Sequence, residues 1–337
     1  MNDKKAAVVA VNNNYVPYLS VLIKSIEENI EKQFLLEIFV LYSSLSEENK
    51  NILKKMINLK ENICLSFLDV SSYFENKELF VGSKNNSSYL SKETYFRLIA
   101  PQVLTQYDKI LYLDSDVIVQ QNWTRIYDID IQDYYVAAVN DIWGNWECFL
   151  HNSELKKYRK EELNLENPVN YFNAGVLLIN LDRFRKEYKE NELIDLAMSR
   201  NWRKHDQDLL NYICKGNVKW LDYRWNLIEC PSEKAKTTVS CDEYERYMKS
   251  YNNPYIVHYA TRKPWYILDM MYTELFWQYA FKTPYKEFLL KQFVKNQMIS
   301  GPILENYVFE GIRARKIGVI FICKCIITWM KAALWKK

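Results

Sequence analysis

The sequence predicts an α/β protein built on a mostly parallel central sheet, with a helical appendage after residue 265. Three observations carry this. Short apolar runs alternate with stretches of helical period along the chain, which is the signature of βαβ units. Two aspartates close one of the apolar runs, at the strand end where such sheets hold ligands. From Trp265 onward the period is helical throughout. The chain therefore divides into an α/β domain over 1–265 and a helical extension over 266–337.

Each element follows in order. Ala6–Val11 is a six-residue apolar run, the length of a buried strand. Tyr18, Val21, Leu22 and Ile26 recur at helical spacing. Glu37–Tyr42 is a second strand. Ser46 precedes Glu47 and Glu48, an N-cap with first-turn acids, and opens a helix through Ile57. Ile63–Val70 is a third strand, Thr94–Leu104 is helical, and Lys109–Leu113 is a fourth strand. Strands follow near Tyr135–Val139 and Val176–Asn180. Helices follow over Asp182–Ser199 and from Asp206 to Cys214, and Tyr255–His258 is a short strand. No repeat, low-complexity tract or long linker interrupts this order. Chemistry is expected just after Val11, Leu113 and Val139.

Composition excludes several functions. The 337 residues are 49% hydrophobic and 26% charged, so disorder is ruled out. Only 7 glycines occur, and none form GxGxxG or GxxxxGK, which removes the dinucleotide fingerprint and the P-loop. The 7 cysteines make no CxxC and the 3 histidines are far apart, so a structural zinc site is not expected and a reducing, cytoplasmic setting is. The N-terminal apolar run is too short for a signal-peptide core. Net charge is +3, but residues 311–337 carry seven basic side chains and no acid, leaving −4 on the rest. An acidic body excludes a nucleic-acid-coating surface.

The segment Lys109-Ile-Leu-Tyr-Leu-Asp-Ser-Asp ends a strand in Asp114 and Asp116. In extended chain, residues i and i+2 face one side, so the two carboxylates converge. They repel unless a cation lies between them, and a hard divalent ion that also holds a diphosphate completes such a site. His258 ends another strand and adds a nitrogen donor, which favours Mn²⁺ over Mg²⁺, the latter remaining possible. Lys263 follows closely and can neutralise a phosphate as a point charge. Each feature has a plainer reading. An isolated Asp-x-Asp is commonly a solvated turn and a single histidine a core residue. Asp206 and Asp208 open a helix, where acids complement the dipole. Gly175 fits a bulge or a close ligand approach. Arg97 is spaced to pair with Glu93.

Together the segments resemble glycosyltransferase family eight, most nearly its bacterial lipopolysaccharide hexosyltransferases. The matching stretches are Val9–Tyr18, Thr94–Leu98, Ile110–Asp116, Tyr171–Asn180, Asp206-Gln-Asp and His258-Tyr…Lys-Pro-Trp, in order. The resemblance implies a GT-A fold with a central mixed, mostly parallel sheet, and a UDP-hexose donor. It implies a metal on Asp114, Asp116 and His258, and transfer of glucose or galactose with retention of configuration. Ala10, Asn12 and Asn14 match positions that hold uridine, although the family usually has aspartate where Asn12 stands. Arg97, Ser115 and Asn173 match donor contacts, Asp206 a sugar-hydroxyl ligand, and Gln207 the residue facing the anomeric carbon. Asp141 matches an acceptor-side carboxylate, and Tyr89 falls among acceptor-lining positions. Between His258 and Lys263 the usual glycine is missing and the spacing is one residue shorter. Lipid-linked, oligosaccharide and glycoprotein acceptors are all compatible. The rivals are a nucleotidyltransferase, which would want a Gly-rich loop near the N-terminus, and a non-catalytic membrane-associated assembly subunit.

The stretch Ile317–Trp335 approaches membrane-spanning length, but Lys324 and Lys331 interrupt it, each costing about 3 kcal/mol at a bilayer centre. Seven residues apart, they share one helix face, with basic residues at both flanks. That pattern predicts a basic amphipathic helix on the inner face of the cytoplasmic membrane.

Overall fold

The computed structural model describes residues 4–75, 77, 79, 92–150, 153–229 and 241–296. Tyr89 and the basic stretch 311–337 lie outside these. Two compact units are present, Met1–Thr261 and Arg262–Lys337.

Among the described residues the first unit holds ten strands. These are β1 (Lys5–Ala10), β2 (Leu36–Tyr42), β3 (Ile63–Asp69), β4 (Lys109–Leu113), β5 (Val117–Val119), β6 (Val136–Asn140), β7 (Phe172–Asn180), β8 (Val218–Leu221), β9 (Leu227–Ile228) and β10 (Ile256–His258). Its helices are α1 (Val16–Asn29), α2 (Glu47–Ile57), α3 (Ala100–Val103), α4 (Ile142–Leu150), α5 (Ser153–Lys157), α6 (Leu181–Glu187), α7 (Glu192–Met198), α8 (His205–Cys214) and α9 (Cys241–Tyr251). The second unit contains α10 (Thr273–Ala280) and α11 (Lys286–Asn296).

Seven strands form the main sheet in the order β3-β2-β1-β4-β7-β6-β8. The expectation of a mostly parallel sheet holds, since β3-β2, β2-β1, β1-β4 and β6-β8 are parallel. Strand β7 runs against both neighbours, β4 and β6. It is paired on both edges, and all nine of its residues are buried. Its reversal has a functional consequence: its amino end, not its carboxyl end, reaches the edge where β1, β4 and β6 finish.

A second, three-stranded sheet has the order β5-β10-β9. Strand β5 begins directly after Asp116. Its antiparallel register with β10 sets His258 opposite Val117, one residue beyond that aspartate.

Two helix expectations are corrected. The segment 182–199 is two helices, because the chain turns extended at Tyr188 after α6 and Asn191 takes a left-handed φ of 66° before α7 begins. The segment 92–99 is a 3-10 helix, with α-geometry only from Ala100. In a 3-10 helix residues i and i+3 align rather than i and i+4. Arg97 accordingly pairs with nothing on Glu93, and its Nε donates to the Thr94 carbonyl at 3.0 Å. The N-cap expected at Ser46 is present, its hydroxyl accepting from Asn49 N–H at 3.2 Å.

Candidate active site

The edge formed by the ends of β1, β4 and β6 and the start of β7 gathers most of the residues singled out above. Asp114 leaves β4 still tied to β7, its N–H donating to the Gly175 carbonyl at 2.8 Å. Asp116 is tied to β10 through its carbonyl, which accepts from Tyr259 N–H at 3.1 Å. Backbone pairing from two directions thus converges the side chains. His258 Nε2 lies 3.4 Å from Asp116 Oδ1 and 3.8 Å from Asp114 Oδ2. Ligand atoms of all three lie within 4.8 Å of one another, and among the described residues no other histidine, cysteine, aspartate and glutamate group does so.

The donor set fits a divalent cation of the Mn²⁺ type: two carboxylate oxygens and one imidazole nitrogen. The backbone also makes room for it. A Cβ on Gly175 would stand 2.2 Å from His258 Cε1 and 2.7 Å from Asp114 Oδ2. The close approach read at Gly175 is therefore that of the His258 and Asp114 side chains themselves, and only a glycine allows it.

Arg97, 5% exposed, joins this cluster to α8. Its Nη2 donates to Asp114 Oδ1 at 2.9 Å, and its Nη1 donates to the Ala174 carbonyl. Its guanidinium stacks 4.0 Å from the Tyr112 ring centroid. Burial opposes its charge, but Asp206 and Asp114 more than compensate and hold its pKa above the usual value. Asp206 is itself 4% exposed, and its Oδ1 accepts from Thr94 Oγ1. Its Oδ2 lies 3.0 Å from Arg97 Nε. That N–H is directed at the Thr94 carbonyl, so Oδ2 is buried without a hydrogen bond. Burial pushes the Asp206 carboxyl pKa up, against Arg97 and Thr94, which pull it down. Both acids stand in the first turn of α8, as the plainer reading has it, but buried rather than solvated. Asp208 is also buried, accepting from Tyr158 Oη, Tyr171 Oη and Lys204 N–H, each at 2.7 Å.

Gln207 is held at both ends of its amide. Its Oε1 accepts from Ala174 N–H at 3.0 Å and Asn173 Nδ2 at 3.2 Å, and its Nε2 donates to Asp141 Oδ2 at 3.0 Å. Asp141 Oδ1 accepts from Gly144 N–H, at the start of α4. Ala10 ends β1, and Asn12 opens the turn that follows. Asn12 Oδ1 accepts from Asn14 N–H at 3.1 Å while its Nδ2 donates to Glu93 Oε2 at 3.2 Å. Ser115 is buried between the two aspartates in sequence. Lys263 belongs to the second unit, its ammonium 5.7 Å over the Trp265 ring.

Sequence reasoning missed Asn226. It follows a 3-10 turn at Tyr223–Trp225, is 1% exposed, and bonds His258 Nδ1 through Oδ1 at 2.9 Å and Asn173 Oδ1 through Nδ2 at 2.9 Å. One polar residue between Trp225 and Leu227 carries no periodic signal that would have revealed it.

This fold, with paired carboxylates and an imidazole at the sheet edge, defines a GT-A glycosyltransferase. The chain belongs to glycosyl transferase family 8, whose model matches residues 7–268. It is 26% identical over 265 residues to general stress protein A of Bacillus subtilis, covering 77% of this chain and 86% of that one. It is 32% identical over 222 residues to a putative glycosyltransferase of Haemophilus influenzae, covering 65% of this chain and 62% of that one. Among solved structures it resembles the galactosyltransferase LgtC in complex with donor and acceptor sugar analogues. That match has a TM-score of 0.63 at 27% identity and covers 83% of this chain and 96% of that one.

Proposed function

We propose that this enzyme moves a hexose from a UDP-sugar to a saccharide acceptor, retaining the anomeric configuration, with Mn²⁺ on Asp114, Asp116 and His258. The observation that carries the reading is the convergence of Asp114, Asp116 and His258 at the sheet edge, with the buried Arg97 guanidinium pairing Asp114 to Asp206. When bound, the metal neutralises charge on the diphosphate.

The chain's own residues do the rest. Ala10, Asn12 and Asn14 hold the uridine, the Asn12 amide being fixed by Asn14 and Glu93. Arg97, Ser115 and Asn173 line the donor, and Asp206 orients its sugar. The bond from the anomeric carbon to the β-phosphate oxygen breaks, and its electron pair stays on that oxygen. The acceptor hydroxyl bonds the anomeric carbon on the same face, and its proton passes to the departing phosphate oxygen. Gln207 beside this carbon is a poor nucleophile, and both ends of its amide are occupied. A covalent double displacement therefore lacks its carboxylate. Asp141, and Tyr89 with it, belong to the acceptor side.

Lipid-linked or oligosaccharide acceptors of surface-glycan synthesis suit the basic, acid-free stretch 311–337, which we assign to peripheral contact with the membrane. Among the described residues no helix is long and apolar enough to cross a membrane. The test is UDP release across a panel of UDP-sugars with and without Mn²⁺, followed by proton NMR of the product. An α-product from an α-donor is expected, with Asp116→Ala inactive but folded. A β-product, or full activity of that variant in EDTA, overturns the proposal.

A further inference from the structure

We infer that Asn226 is a positioning residue for the metal-binding imidazole, and that two backbone amides of β7 dictate the direction in which it does so. The inference rests on the metal site proposed above. Its starting point is that side-chain amides and imidazoles can be read in two orientations, whereas a backbone N–H is a donor without ambiguity.

Gly175 N–H points at an Asn173 side-chain atom 2.9 Å away. That atom must be the oxygen. The same oxygen faces Asn226 at 2.9 Å, so Asn226 must present its NH₂ there. Its remaining atom, the carbonyl oxygen, then faces His258 Nδ1 at 2.9 Å. An oxygen without hydrogens can only accept, so the proton sits on Nδ1. In the neutral ring Nε2 is left with its lone pair, on the side where Asp114 and Asp116 stand. Ala174 N–H repeats the logic one residue earlier. It fixes Gln207 Oε1 at 3.0 Å, so Gln207 Nε2 must face Asp141. The two fixed points meet, because Asn173 Nδ2 donates to Gln207 Oε1. The metal-binding imidazole and the residue beside the reacting carbon thus share one hydrogen-bond chain with a single polarity.

Asn226 has two separable jobs. Its oxygen sets the imidazole tautomer, a role whose loss typically lowers metal affinity 10–100-fold. Its NH₂ keeps Asn173, and through it Gln207, in register. Two substitutions separate them. Asn226→Asp keeps an acceptor for Nδ1–H but turns an oxygen on Asn173 Oδ1. Asn226→Leu removes both contacts at similar volume.

The experiment compares the full-length wild type with both variants by three measurements. The first is long-range ¹H–¹⁵N correlation of the imidazoles, with His258 assigned by its loss in His258→Gln. The second is Mn²⁺ affinity by calorimetry in the presence of UDP. The third is turnover. The wild type is expected as the Nδ1–H tautomer. Asn226→Asp should keep that tautomer and Mn²⁺ affinity within about twofold, with kcat reduced about tenfold or more. Asn226→Leu should show mixed tautomers and Mn²⁺ affinity lowered roughly 10–100-fold. An Nε2–H tautomer in the wild type overturns the inference. So does wild-type Mn²⁺ affinity in Asn226→Leu, or an Asn226→Asp that loses metal as fully as the leucine variant. If the leucine variant does not fold, the wild-type tautomer and the aspartate variant still decide. Failure of the glycosyltransferase reading is seen separately, as a wild type that binds Mn²⁺ but turns over no UDP-sugar.

Discussion

Adding one methyl group at Gly175 should cost both stability and metal binding. The new Cβ would stand 2.2 Å from His258 Cε1, 2.7 Å from Asp114 Oδ2 and 2.9 Å from His258 Nδ1. Carbon–carbon contact is comfortable near 3.5–4.0 Å, so the overlap with the imidazole exceeds about 1 Å. Neither side can yield freely. His258 is 2% exposed, bonded to Asn226 and paired in backbone register with Val117 and Ile228. Gly175 is fixed through its N–H to Asn173 and through its carbonyl to Asp114 N–H. Overpacking of this kind costs typically 1–3 kcal/mol. At roughly 2–4 °C per kcal/mol for a unit of this size, Tm should fall by about 2–12 °C. Because two ligands are displaced together, Mn²⁺ affinity should fall at least about tenfold, as loss of an orienting contact alone does. Thermal unfolding without metal and Mn²⁺ calorimetry with UDP measure the two effects. Gly216→Ala is the control: its φ of +80° makes alanine strained, but nothing lies within 4 Å, so stability should drop with Mn²⁺ affinity intact. A Gly175→Ala protein with wild-type Tm and wild-type Mn²⁺ affinity would refute the reasoning.

Other substitutions separate function from stability. Asp206→Asn should reduce turnover at least about a hundredfold and lower Tm, because it takes one of two carboxylates from the buried Arg97 guanidinium; an unchanged or raised Tm would count against the pairing. Arg97→Ala should destabilise by about 3–5 kcal/mol in denaturant unfolding, because it strands buried Asp206; a loss under 1 kcal/mol would contradict the pairing. Gln207→Ala should slow transfer without abolishing it, and complete loss with UDP-sugar still bound would favour a covalent role. Ending the chain at Glu310 should release the protein from anionic vesicles in a co-sedimentation assay while UDP-sugar binding survives. Undiminished sedimentation would remove the membrane role of the basic stretch.

The positions of the main strands were legible because buried strands are apolar runs, but their directions were not. Nothing in Val176-Leu-Leu-Ile-Asn carries an arrow, and β7 runs opposite to β4 and β6. The three- and two-residue strands β5 and β9 are too short to show alternation. Helix α9 was missed because Cys241–Tyr251 is mostly polar, although Tyr244, Tyr247, Met248 and Tyr251 do recur at helical spacing. The break between α6 and α7 depends on an extended Tyr188 and a left-handed Asn191 inside an otherwise helical pattern. In the site, Asp114, Asp116 and His258 could be read because their chemistry coincides with strand ends. The partners of Arg97 could not. Sequence spacing offered Glu93, whereas the 3-10 geometry turned Arg97 toward residues 17 and 109 positions away.

The reversed strand also explains why the site needs so few glycines. In a wholly parallel sheet, phosphate-binding loops follow strand ends and use Gly-rich turns to bring backbone amides to the ligand. Here β7 enters the site from its amino end, so the N–H groups of Ala174 and Gly175 arrive as part of a strand already fixed by β4. They bind side chains rather than phosphate, ordering Asn173, Gln207, Asn226 and, through the last, His258. In the proposed reading, charge for the donor comes from a cation on Asp114, Asp116 and His258 and from Arg97 rather than from a loop of amides. One glycine is still unavoidable, where β7 passes His258 and Asp114, and that is the position at which Gly175 stands.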